Sequence, residues 1–192
     1  MERDWCVLLI GGASGSGKTC VSYPIAKLYG VNLIEADDFQ VFLESMSTPE
    51  QQPGIHYWET HPDWQQEGVE ATVGQLIDVG RAFIPGLEAV IKNHIESDMP
   101  VVIEGDFILP ELCSLFDSSK VKSVFIYEPS REQILNNFLA REPEYGLQEY
   151  RTDVSFRYGN WLAAECLRYG IPVIESRPWD TVIDRINSNF RS

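Results

Sequence analysis

Trp5-Cys6-Val7-Leu8-Leu9-Ile10-Gly11-Gly12-Ala13-Ser14-Gly15-Ser16-Gly17-Lys18-Thr19 is the stretch that decides the fold. Residues 5–10 are a short apolar run ending in glycines, the pattern of a fully buried strand. Residues 18–29 place Val21, Ile25 and Leu28 on one helical face, and Gly30 stops the helix. Pro24 removes a backbone hydrogen bond within it and predicts a kink. Between the two, residues 12–19 match G-x-x-x-x-G-K-[ST], the Walker A pattern. Triphosphate oxygens need several N–H donors converging on one point, and glycines let the backbone wrap them without obstruction. The helix that follows presents its positive end. Gly12, Ala13, Ser14, Gly15, Ser16, Gly17, Lys18, Thr19 and Cys20 are therefore the candidate nucleotide-binding residues. Lys18 reaches the β- and γ-phosphates and Thr19 ligates Mg²⁺. ATP and Mg²⁺ are the expected cofactors.

Outward from this motif, apolar runs alternate with helical patterns. Strands are expected at 31–35, 101–104, 123–127 and 172–175. A long helical stretch is expected from about 64 to 97, broken near Pro85-Gly86. Further helices carry Ile134, Leu135, Phe138 and Leu139; residues 152–169; and Val182, Ile183, Ile186 and Phe190. Residues 47–63, rich in Pro, Gln and His, and polar residues 142–150 read as loops. Such alternation predicts an α/β fold, a parallel sheet covered by helices on both faces. Ligands then bind at the carboxyl ends of the strands.

The chain has 192 residues, 44% hydrophobic and 23% charged. That length predicts one domain, within which 39–100 form an acceptor-binding helical insert and 141–151 a lid loop. No apolar run approaches the ~18 residues that span a membrane. The charged start Met1-Glu2-Arg3-Asp4 argues against a signal peptide. The expectation is a cytoplasmic protein, monomer or homodimer. Cys6, Cys20, Cys113 and Cys166 show no ligand spacing and predict reduced, mostly buried thiols.

The net charge is −14. A field of that sign repels nucleic acid and anionic membranes. Residues 31–119 hold 17 acids and two bases, Arg81 and Lys92, a net of −15, which leaves +1 for the remainder. The asymmetry reads as an acidic, solubilising surface or as an imprint of the substrate.

The other strand ends must choose the reaction. The second strand runs into Glu35-Ala36-Asp37-Asp38-Phe39, the third into Ile103-Glu104-Gly105-Asp106. Phosphoryl transfer to an alcohol needs a carboxylate beside the acceptor hydroxyl and acids to hold Mg²⁺. Asp37 suits the first task, with a share in the metal site, and Glu104 the second. The same acids also read as helix caps.

Strand–GxxxxGK[ST]–helix–strand–DDF, followed by strand–EG, resembles the small-molecule P-loop kinases. The resemblance is to uridine and nicotinamide riboside kinases, and more distantly to gluconate and zeta-toxin-like kinases. It implies a P-loop NTPase three-layer sandwich, a five-stranded parallel sheet ordered 2-3-1-4-5 with a small lid. It also implies Asp37 as catalytic base, Glu104 at the magnesium or substrate site, and arginines in the lid. Arg141 is the first candidate for the γ-phosphate and Arg131 the second, though either also suits a helix dipole or an ion pair with Glu142 or Glu144. Arg177 is placed to stack on the adenine, and Trp179 to pack a helix start.

A monophosphate acceptor needs arginines on its side, and 31–119 offers little. The expected acceptor is therefore a neutral or cationic small molecule: a nucleoside, a sugar or an amine-bearing alcohol. Asp38, His56, Trp58, Arg81 and Asp106 are its candidate contacts. Tyr57, His61 and Trp64 lie nearby and read equally well as packing. Motor ATPases usually end the third strand in Asp-Glu and carry extra domains. A lone Glu before Gly favours a kinase over the alternative, a P-loop ATPase or nucleotide-binding regulatory protein without an acceptor.

Overall fold

Each strand's side chains alternate between two cores. Leu8, Ile10, Val102, Val124 and Ile126 face one; Val7, Leu9, Val101, Ile103 and Phe125 face the other. Both cores are apolar, which is why these strands read as continuous apolar runs rather than alternating ones. The computed structural model describes residues 3–190. Met1 and Glu2, part of the charged start read against a signal peptide, lie outside the described residues.

Five strands form one parallel sheet: β1 (Val7–Gly11), β2 (Asn32–Glu35), β3 (Val101–Gly105), β4 (Val121–Tyr127) and β5 (Val173–Glu175). Their order is β2-β3-β1-β4-β5. Helices α1 (Lys18–Tyr29) and α8 (Trp179–Phe190) cover one face through Val21, Ile25, Val182 and Ile186. The other face takes α4 (Val69–Glu96), α5 (Pro110–Cys113) and α7 (Glu149–Tyr169). Helix α2 (Ala36–Met46) and the single turn α3 (Tyr57–Thr60) lead from β2 toward α4, and α6 (Arg131–Arg141) follows β4. Among the described residues no helix is long and apolar enough to cross a membrane. Cys6, Cys113 and Cys166 are buried, Cys20 is exposed, and all four are free thiols.

Several expectations need correction. The break at Pro85-Gly86 does not occur: α4 is one helix of 28 residues. Val79, Phe83, Leu87 and Ile91 form a buried seam across the proline. Pro85 and Gly86 themselves face solvent rather than the core, so the hydrogen bond lost to the proline is not lost inside the core. The helix starts at Val69 rather than near 64, because Gly68 adopts φ 91° after a separate 3₁₀ turn, Trp64–Glu67. Pro24 sits on the exposed side of α1, which runs unbroken to Tyr29. The polar loop 142–150 is shorter than expected: Pro143–Tyr145 form a 3₁₀ turn and α7 begins at Glu149.

The ends of β3 and β2 meet at Gly105. A Cβ there would lie 2.5 Å from the Ala36 Cβ, so only glycine lets α2 start against β3. We predict that Gly105→Ala costs about 1–3 kcal/mol by overpacking, read as a lower urea midpoint at unchanged m-value.

Candidate active site

The loop between β1 and α1 is shaped by left-handed glycines. Gly12, Gly15 and Gly17 have φ of 147°, 74° and 93°. A Cβ on Gly12 would meet the Ile126 carbonyl at 2.5 Å, and one on Gly17 the Trp179 ring at 2.2 Å. The loop is pinned from behind. Asn137 Nδ2 donates to the Gly15 carbonyl at 2.8 Å, and Ser155 Oγ donates to the Ser14 carbonyl. No side chain caps the start of α1 and its first turn carries no acid, so the free N–H groups there suit an anion. Ser16 Oγ is buried without a partner. These features fit a bound triphosphate: a cradle that side chains would fill, and an orphaned donor inside it.

Around this loop lies a cavity of about 760 Å³. Lys18 is buried there, its Nζ donating to the Ala13 carbonyl at 3.1 Å and pairing with Asp106. Thr19 Oγ1 donates to Glu104 Oε1 at 2.9 Å. Asp37, Glu35, Cys20 and Arg141 line the same space. The structure thus brings together Lys18, Thr19, Asp37, Glu104 and Asp106 from three strand ends. Burial pushes the Glu104 carboxyl above its ordinary range, against the opposing pull of Lys18 and the Thr19 hydrogen bond. Asp37 is open to solvent through the cavity, yet its enclosure, and next the charge of Asp106, raise its carboxyl too. Among the described residues no cluster of three or more His, Cys, Asp or Glu forms a metal site. Thr19 and Glu104 suit a Mg²⁺ that takes its other ligands from phosphate and water, its usual habit.

A second cavity, of about 730 Å³, shares Ser14, Asp106 and Arg151 with the first. Trp58, Trp64, Leu76, Tyr150 and Val154 give it an apolar lining. Tyr158, buried behind it, donates to the Asp106 carbonyl at 2.8 Å. Burial, then the Asp106 charge, lifts its phenol well above the usual value.

Other sequence candidates lie elsewhere. Arg131 does not line either cavity: its guanidinium pairs with Glu149 at 2.6 Å and Asp153 at 2.5 Å. Arg151 stands in the cleft instead, held with Arg141 by Glu142 at 2.6 and 2.7 Å. Loss of solvent alone would raise the Glu142 carboxyl. Hydrogen bonds from Gln148 and Arg141, with the Arg151 charge, hold it below the usual range. His56 is buried away from both cavities, bonded to Ser47 at 3.0 Å and Glu59 at 2.7 Å. Arg81 is exposed and pairs with Asp78 and Glu111. Asp38 points outward from α2 and lines neither cavity. Arg177 donates to the buried Glu128 at 2.8 Å and to Gln133 at 2.7 Å. It borders a smaller hollow beside Trp179 rather than the phosphate cavity. Trp179, read as packing, touches Gly17 and lines the phosphate cavity.

No protein-family model matches the chain. It is 26% identical over 202 residues to a 2-phosphoglycerate kinase of Methanothermobacter thermautotrophicus, covering 96% of this chain and 65% of that protein. A 2-phosphoglycerate kinase of Methanopyrus kandleri is 23% identical over 206 residues, covering 97% and 61%. The chain thus spans less than two thirds of these relatives. Two solved structures share its architecture. A gluconokinase from Sinorhizobium meliloti aligns with TM-score 0.57 at 16% identity, covering 100% of this chain and 99% of that one. The shikimate kinase from Acinetobacter baumannii, in complex with shikimate, aligns with TM-score 0.56 at 16% identity, covering 96% and 94%. The chain has the fold of the P-loop small-molecule kinases. The expected strand order and the helices on both faces are borne out.

Some site residues carried no sequence signal of their own. Ser155 and Tyr158 sit one turn apart on α7, a spacing that also fits ordinary core packing. Arg151 follows the polar loop as one of several arginines, and only the helical phase of α7 separates it from Arg157.

Asp37 also bears on stability. Its raised pKa means the folded state binds its proton more tightly than the unfolded state does, so the ionised form weakens the fold at neutral pH. Below the ordinary aspartate pKa both states are protonated and the effect vanishes. Asp37→Asn should therefore raise the Tm of the nucleotide-free protein at pH 7.5, and the gain should shrink as pH falls toward 4, read by thermal melts across that range.

Proposed function

We propose that this chain is an ATP-dependent phosphotransferase that moves the γ-phosphate of MgATP to a hydroxyl of a small molecule. The observation that carries the reading is the second cavity, which meets the phosphate cavity at Ser14, Asp106 and Arg151. A hydrolase needs room only for water beside the phosphate. A space of about 730 Å³ with an apolar lining suits a second substrate.

The roles follow from position. Loop 12–17, the start of α1 and Lys18 hold the phosphates. Thr19 and Glu104 would hold Mg²⁺, with Asp37 beside them, and the ion would supply positive charge against the phosphates. Asp37 takes the acceptor's hydroxyl proton. As it does, the acceptor oxygen bonds the γ-phosphorus, the bond from phosphorus to the ADP oxygen breaks, and ADP keeps the electron pair. Asp106, at the shared wall, orients the hydroxyl. Arg141 and Arg151 neutralise the charge spread over the transferring group. Trp179 borders the phosphates, and the hollow beside Arg177 suits the base. Closure of 141–151 excludes water and limits hydrolysis. Such an enzyme works where MgATP is supplied, in the cytoplasm. The acceptor is a small molecule such as a nucleoside, a sugar or an amine-bearing alcohol.

A coupled assay of ADP release, with and without pooled acceptors, tests the reading. Lys18→Ala should abolish transfer. Asp37→Asn should lower turnover by at least about a hundredfold while leaving ATP affinity nearly unchanged. Because Asp37 must be ionised to act, wild-type turnover should fall as pH drops through its raised pKa, above the ordinary aspartate range. Unchanged turnover in Asp37→Asn would remove Asp37 from the role of base. ADP release that no acceptor alters would instead favour an ATPase or a nucleotide-binding regulatory protein.

A further inference from the structure

We infer that the second cavity selects an acceptor with a flat ring and no negative charge, a nucleoside or a comparable ring alcohol, neutral or cationic. The inference rests on the phosphotransfer reading and narrows it. Trp58, Trp64 and Tyr150 form a continuous run of rings. Trp58 and Trp64 lie 5.3 Å apart at 72°, and Trp64 and Tyr150 lie 5.8 Å apart at 56°. Tyr150 is fixed by a 2.7 Å hydrogen bond between its hydroxyl and Thr72. All three rings are half-buried, so each keeps surface open to the cavity. Ring faces attract flat unsaturated rings, and cations more strongly. Tyr145 and Leu147, exposed at the rim, can cover such a ring from the solvent side.

The charge of the walls argues the same way. Asp106, Glu142 and Glu149 line it with one cation, Arg151, and each acid is already paired: Asp106 with Lys18, Glu142 with Arg141 and Arg151, Glu149 with Arg131. Arg151 is already committed, with Nη1 2.6 Å from Glu142 and 3.0 Å from Gln148. The cations of 31–119 do not help: Arg81 pairs with Asp78 and Glu111, and Lys92 pairs with Glu88. Neither lines the cavity. An acceptor carrying both a phosphate and a carboxylate would find every nearby cation already paired and would have to displace Glu142 from Arg151 to gain a partner, at a cost in desolvation. A ring alcohol brings only its hydroxyl. That hydroxyl gives its proton to Asp37 and its oxygen to the γ-phosphorus, and ADP departs with the electron pair.

The test compares ADP release with three ring alcohols, uridine, adenosine and pyridoxine, against three anions, 2-phosphoglycerate, gluconate and shikimate, with products weighed by mass spectrometry. At least one ring alcohol should raise ADP release about tenfold or more over the acceptor-free rate, with equimolar phosphorylated product, while the anions give little. Trp64→Leu, checked for folding by circular dichroism, should raise the KM for that alcohol about tenfold with little change in kcat. Acceleration by the anions alone would overturn the ring-acceptor inference and leave the phosphotransfer reading standing, as would an unmoved KM in Trp64→Leu. Acceleration by neither group would overturn the ring-acceptor inference, and failure of pooled sugars and amine-bearing alcohols as well would overturn the phosphotransfer reading.

Discussion

The parallel pairing of β1 with β3 is the constraint on which the site depends. Its register sets Ile10 beside Glu104 and Gly11 beside Gly105. The phosphate loop therefore leaves the sheet next to the strand end that carries Glu104 and Asp106. Thr19 opens α1 one loop later and so reaches Glu104. Strand β2 lies beyond β3, and its end reaches the same space only because Gly105 lets Ala36 approach. A slip of one residue between β1 and β3 would turn Glu104 into the opposite core and Ile103 toward the cleft. Both cores are apolar, so the sheet itself resists that slip.

Gathering Asp37, Glu104 and Asp106 about one buried lysine carries an electrostatic cost. Both Asp37 and Glu104 sit above the ordinary carboxylate range. Lys18 relieves part of this through Asp106. The lysine is thus held in place by an acid rather than left free in a buried position, where an unpaired ammonium would be expensive. A cation and phosphates would add both signs of charge at this point. On the phosphotransfer reading, this crowding of like charges suits a metal–phosphate pair.

The sheet and the phosphate loop were legible in the sequence because both are local. Apolar runs bounded by glycine mark strands buried on both faces, and the loop's glycines are consecutive in the chain. Asp37 and Glu104 were legible because a parallel sheet sends every strand end to one edge. What resisted reading was longer in range. The continuity of α4 through Pro85 depends on Phe83 and Leu87 being buried against other elements, which outweighs one lost hydrogen bond. His56 offers the sequence a histidine near aromatics, but Ser47 and Glu59 satisfy both its nitrogens. Arg131 and Arg151 differ only in which way their helices turn them. Trp179 needed the path of β5 to bring it onto Gly17.

Two arginines beside the phosphate cavity are held in place by one carboxylate. Glu142 follows α6 directly and holds Arg141 from that helix and Arg151 from α7. Both guanidinium groups also lie over the Phe138 ring, at 5.3 and 4.4 Å. Their planes are thereby set before any anion arrives, and little side-chain freedom remains to be lost on binding. A carboxylate is a fair stand-in for a phosphoryl oxygen, since both accept the same forked donors. On the phosphotransfer reading, the γ-phosphate then competes with Glu142 for partners already in position. Glu142 lies between the two guanidinium groups and so offsets their mutual repulsion. Arg131, tied to Glu149 and Asp153, instead fastens the start of α7 to α6.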